Sequence, residues 1–139
     1  MVWLVQAASF TAPGHVAIAQ PERQVRTRSS PGDPASDWLC AWCHQPVASE
    51  NDRFSCEGKS EFSFTNPEGS FFQIVTFMRT IGCRERGVPT LKHTWFPGHA
   101  WCHCLCNQCH MQLGWYYSGP STFAGLIRDR IVRALLVRN

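Results

Sequence analysis

The stretch HTWFPGHAWCHCLCNQCHMQLGWYYSG, residues 93–119, reads as strands on either side of a Cys-x-x-Cys reversal. Ala100 to Leu105 and Leu113 to Ser118 are short apolar runs bounded by Gly, Pro or the cysteine pair, as strands are. Cys106-Asn107-Gln108-Cys109 turns the chain between them. Residues two apart in a strand share a face, so Cys102 and Cys104 lie opposite Trp101, His103 and Leu105, and Trp115 sits with Tyr117. Leu91 to Phe96 reads as a further strand, with His93 and Trp95 on one face. A reversal centred on Gly98 would set Trp95 across from Trp101, with Cβ atoms about 5 Å apart. Folding back around the knuckle pairs Trp101 with Gly114, puts Trp115 one position off and leaves room at Gly114 beside three converging tryptophans.

A second knuckle, Cys40-Ala41-Trp42-Cys43, precedes the body of the domain. A two-residue spacer lets both thiolates of a knuckle reach one ion, and two knuckles complete a tetrahedral S₄ shell. Cys40, Cys43, Cys106 and Cys109 are therefore the expected ligands of one zinc ion. Its role is structural, because four protein ligands leave no open position. The competing readings are a redox motif, which usually occurs once and ahead of a helix, and ordinary disulfides. Cys56, Cys83, Cys102 and Cys104 read as small buried apolar residues. His44 and His110 follow the knuckles as solvent-facing or supporting groups.

Between the knuckles, Glu61 to Thr65 alternates, Asn66-Pro67-Glu68-Gly69 is a turn by its chemistry, and Ser70 to Met78 is a largely buried strand. Gly82 to Pro89 reads as a loop. Thr122 to Ile127 is a closing strand, followed by a stretch with helical spacing. The fold class is all-β. Residues 1–37 read as a disordered leader and linker, 38–130 as the zinc- and ligand-binding domain, and 131–139 as a C-terminal tail that can be helical. Ala17-Ile18-Ala19 has the form of a signal-peptidase site, but no Lys or Arg precedes it and Pro13-Gly14 interrupts the apolar run, so a cytoplasmic location is expected.

Apolar residues make up 44% of the chain and charged residues 17%, which suits a globular domain. The net charge of +3 is not gathered in any block, which argues against a nucleic-acid partner. No apolar run approaches the roughly 20 residues of a spanning helix, so no membrane role is expected. Glycine-rich phosphate loops, Ser-His-Asp arrangements and carboxylate-pair motifs are missing from the sequence.

Three clustered tryptophans can be core or pocket. Each carries an N–H that needs a partner when buried, which argues against using three merely to fill space, yet aromatic cores are common. Cation-binding boxes often include a carboxylate, and here His93 occupies the strand beside Trp95. A neutral ring with a polar edge fits at least as well.

The quoted stretch, with the upstream CAWC and TNPEG, resembles the CULT domain, the thalidomide-binding domain of cereblon and of its single-domain bacterial relatives. The resemblance covers about Trp38 to Arg130 and implies a β-tent of two antiparallel sheets pinned near zinc. It implies non-enzymatic binding of cyclic imides: glutarimide, thalidomide-type drugs, uracil-like rings and cyclic imides at protein C-termini. Trp95, Trp101 and Trp115 match the cage walls and Tyr117 its rear. His93 matches the position whose backbone carbonyl accepts the imide N–H, and Asn66 and Pro67 match the rim. Glu68 departs from the histidine of the human-type rim. No ubiquitin ligase adaptor is expected for this chain alone, because the regions that would recruit one are absent from its sequence. Two other classes compete: a zinc-pinned methionine sulfoxide reductase of the B type, with Cys102 or Cys104 as nucleophile, and a methyl-lysine reader.

Overall fold

In the computed structural model the described residues are 37–137. The leader and the Ala17-Ile18-Ala19 reading lie outside them, apart from Asp37. The described chain runs β1 (Asp37–Cys40), β2 (Pro46–Ser49), β3 (Glu61–Thr65), β4 (Phe71–Phe77), β5 (Cys83–Thr90), β6 (Ala100–Cys106), β7 (Gln112–Ser118), β8 (Thr122–Ile127), β9 (Ile131–Arg133) and the short α1 (Ala134–Val137). The strands form two antiparallel sheets, a small one in the order β2-β1-β9 and a six-stranded one in the order β3-β4-β8-β7-β6-β5. Among the described residues no helix is long and apolar enough to cross a membrane.

Register assigns the two faces of the large sheet. One face packs Val75, Phe77, Cys102, Cys104, Tyr116 and Leu126 against Trp38, Val47, Ala48 and Ile131 of the small sheet, and the four knuckle cysteines close this core. The other face carries Ile74, Trp101, Trp115, Tyr117, Phe123 and Ile127, roofed by Trp95 and Phe96 from the β5–β6 loop. Metal cluster and aromatic cluster thus belong to opposite faces of one sheet. Alternation in a two-sided antiparallel sheet puts a buried side chain on each face in turn, which is why β6 and β7 read as near-continuous apolar runs.

Several expectations are corrected. Gly82–Pro89 is largely strand: Glu85 and Gly87 point inward between exposed Arg84, Arg86 and Val88. As an edge strand β5 tolerates the charges and the proline that made it look like a loop. Leu91–Phe96 is not a strand. His93 adopts φ 59, and the Thr94 hydroxyl donates to the His99 carbonyl at 2.7 Å, folding the segment into a loop. Trp101 pairs with Tyr117 rather than Gly114, because the knuckle closes at Cys106 N–H to Met111 O (2.9 Å) and a bulge follows at Cys104/Leu105. The tail expected from 131 enters the small sheet: Ile131 pairs with Cys40 and is 3% exposed. A strand of three residues has too little periodicity to be read from sequence.

Candidate functional site

The two knuckles are built alike. In each, the first cysteine's carbonyl accepts from the histidine four residues on (His44 N–H and His110 N–H, both 2.9 Å), and its own N–H donates to Gln45 O or Met111 O at 2.9 Å. His44 and His110 take φ 61 and 67, the left-handed residue that lets the chain turn back. Backbone N–H groups face sulfur in both: Trp42 to Cys40 Sγ at 3.4 Å, Gln108 and Cys109 to Cys106 Sγ at 3.4 and 3.5 Å. Gln45 Nε2 adds a side-chain donor to Cys106 Sγ at 3.9 Å, a role the sequence did not suggest.

The four sulfurs lie within 4.8 Å of one another, with Cys40–Cys109 and Cys43–Cys106 at 3.6 Å. A tetrahedral ion with Zn–S bonds near 2.3 Å sets its sulfurs about 3.8 Å apart. Burial pushes the Cys40 thiol up to about 12, and a divalent cation among the sulfurs would favour its thiolate. The donor set fits one zinc ion. His44 and His110 are exposed and outside the cluster, as expected.

On the opposite face the structure gathers Trp95, Trp101, Trp115 and Tyr117 in one buried cluster, with exposures of 4%, 4%, 3% and 0%. Trp95 and Trp115 meet edge to face at 5.1 Å and 85°. Trp101 is tied to the loop through its indole N–H, which donates to Lys92 O at 2.8 Å, beside His93. The Trp115 indole N–H and the Tyr117 hydroxyl are buried without a hydrogen-bond partner. His93 is half-buried in the same loop. Asn66 organises the β3–β4 turn, its side-chain oxygen accepting from Glu68 and Ser70 N–H at 3.0 and 2.7 Å, while Pro67 is exposed at the tip.

Three contributors escaped the sequence reading. Phe64 and Phe72, a cross-strand pair two positions inside that turn, reach the cluster: Phe64 lies flat on Trp95 at 4.7 Å and 11°, and Phe72 meets Trp115 edge-on at 5.8 Å. Their alternation with Phe62 was the available sign. Gly125, not Gly114, gives room beside the cluster. It pairs with Trp115, and a Cβ there would meet Ile74 Cγ2 at 2.8 Å and the Tyr117 ring at 3.3 Å. Gly114 faces the metal side, where a Cβ would strike the Gly125 carbonyl.

Cys102 and Cys104 are poor nucleophiles. Burial pushes Cys102 up to about 12 and Cys104 well above the usual thiol range, so the thiolate is scarce at neutral pH. Glu85, 4.0 Å from Cys102, is raised to about 8 by burial, and His103, beside Trp101, is lowered to about 4 by burial and then by Arg86.

No family model matches the chain. Among curated proteins it is similar to "Protein cereblon" of Danio rerio, 28% identical over 108 residues, covering 72% of this chain and 25% of that protein. The Gallus gallus cereblon is 27% identical over 101 residues (67% and 23%), and the Drosophila simulans cereblon 30% over 98 residues (64% and 17%). The chain thus spans a quarter or less of the length of these relatives. Two antiparallel sheets and a four-cysteine cluster that could hold zinc, together with this similarity, are consistent with a cereblon-like CULT domain.

Proposed function

We propose that this domain is a non-enzymatic binding module for cyclic imides, taken up among Trp95, Trp101 and Trp115 with Tyr117 behind them. The observation that carries the reading is the pair of buried donors two residues apart on β7, the Trp115 indole N–H and the Tyr117 hydroxyl, neither with an acceptor. Leaving such a group unsatisfied costs about 1–3 kcal/mol. A neutral guest ring with carbonyl oxygens offers acceptors, while indole faces remove its methylenes from water. A cyclic imide has both features and no charge. The aromatic Phe64 lies on Trp95, so a guest seated against that face displaces Phe64 as the β3–β4 turn shifts. The raised thiols of Cys102 and Cys104 support binding over thiol catalysis.

So small a ring reaches micromolar affinity, about −8 kcal/mol, near the ceiling for its atom count. The test is titration with thalidomide, glutarimide and uracil, read by tryptophan fluorescence. Trp95→Ala is expected to abolish thalidomide binding, and Trp115→Phe, which keeps a ring and removes the N–H, to weaken it roughly tenfold, as for one buried hydrogen bond. Unchanged affinity in both variants, with zinc retained, overturns the reading.

A further inference from the structure

A concavity lies at the β3–β4 edge of the large sheet. The cross-strand pairs Ser63–Gln73 and Glu61–Val75 of β3 and β4 line a groove of about 460 Å³, with Lys59 and Arg128 also at its wall. Both cations are held on aromatic rings. Lys59 Nζ stands 5.2 Å from the Phe62 centroid and Arg128 Cζ 4.9 Å from that of Trp38, which limits their wandering.

The local acids are already answered. Glu61 is paired with Arg53 at 3.1 Å, and Glu50 with Arg53 at 2.8 Å and Arg133 at 4.0 Å. Neither Lys59 nor Arg128 has an ion-pair partner among the described residues. Two positive charges therefore face one groove, with the Ser63 hydroxyl and the Gln73 carboxamide beside them as neutral donors.

We propose that this groove binds a phosphate monoester dianion. A guanidinium fork and an ammonium point charge together suit a tetrahedral dianion, whereas a single carboxylate would leave one cation unanswered. A phosphorylated serine side chain and free phosphate present the same chemistry, and the site does not rest on the imide reading, since none of Trp95, Trp101, Trp115 and Tyr117 lines it.

The test uses the zinc-loaded full chain at low ionic strength, observed by amide NMR during titration with inorganic phosphate and, separately, with a short phosphoserine peptide and its unphosphorylated form. Shifts of the Ser63 and Gln73 amides are expected with both phosphorylated probes and not with the unphosphorylated peptide. Lys59→Gln and Arg128→Gln should each weaken binding roughly tenfold, the loss typical of a charge-assisted bond, and Arg128→Lys, which keeps the charge on Trp38, should weaken it less. Tighter binding of the phosphopeptide assigns the groove to phosphorylated protein, and equal binding assigns it to the free anion. Absence of any shift at about 10 mM phosphate, where a site of even millimolar affinity would fill, or shifts that persist in the Lys59→Gln/Arg128→Gln double variant, overturns the proposal.

Discussion

Replacing Glu85 with Gln should remove a loss of stability that the wild-type domain suffers as pH rises from about 6.5 to 8. Glu85 sits on the inward side of edge strand β5 and is 9% exposed; burial raises its carboxyl from 4.5 to about 8. The folded state therefore holds this proton where the unfolded chain has released it. Stability from this group is fully present below about 4.5 and declines as pH climbs toward 8. His103 works in the other direction. Lowered from 6.5 to about 4, it binds its proton more readily when unfolded, so stability from it is lost as pH falls through that window. Between about 4.5 and 6.5 these two slopes cancel, and above 6.5 His103 no longer offsets that of Glu85. At 1.36 kcal/mol per unit, the wild type should fall by about 2 kcal/mol relative to Glu85→Gln between pH 6.5 and 8, the thiolate–zinc linkage being common to both. For a domain of this size that is on the order of 10 °C in unfolding midpoint. The assay is thermal or urea unfolding of zinc-saturated protein across that range. The gap between the wild type and Glu85→Gln should open by that amount across the range. A wild type and a variant with superimposable pH profiles would refute the reasoning.

Three further outcomes follow from the geometry. Native mass spectrometry should read one zinc per chain, and a strong chelator should abolish cooperative unfolding, because structural zinc contributes ~10 kcal/mol or more to domains that depend on it; a chelated protein with an unchanged melting curve would remove the metal from the fold. Gly125→Ala should destabilise by about 1–3 kcal/mol, since its methyl would press into Ile74 and the Tyr117 ring, and denaturant titration checks it against Gly69→Ala, where no atom lies within 4 Å but φ is 90. Phe64→Ala should speed association of a glutarimide probe measured by stopped-flow fluorescence, by freeing the Trp95 face it now covers; slower or unchanged association would show that Phe64 does not obstruct entry.

The sequence by itself determined the chemistry of both clusters. Two Cys-x-x-Cys knuckles can satisfy four thiolates on one ion wherever the chain brings them together, and the period of two places Trp115 with Tyr117 whatever their neighbours are. Local turn chemistry likewise marked Asn66–Gly69, where the Asn66 side chain ties two backbone N–H groups. What only the tertiary structure decided was non-local: that β5 is an edge strand, that Trp95 arrives on a loop, that Trp101 faces Tyr117, and that Phe64 and Phe72 complete the aromatic cluster. Each depends on register or pairing between strands distant in sequence. A single bulge at Cys104/Leu105, or one left-handed residue at His93, redirects every side chain beyond it, and no local propensity encodes that displacement.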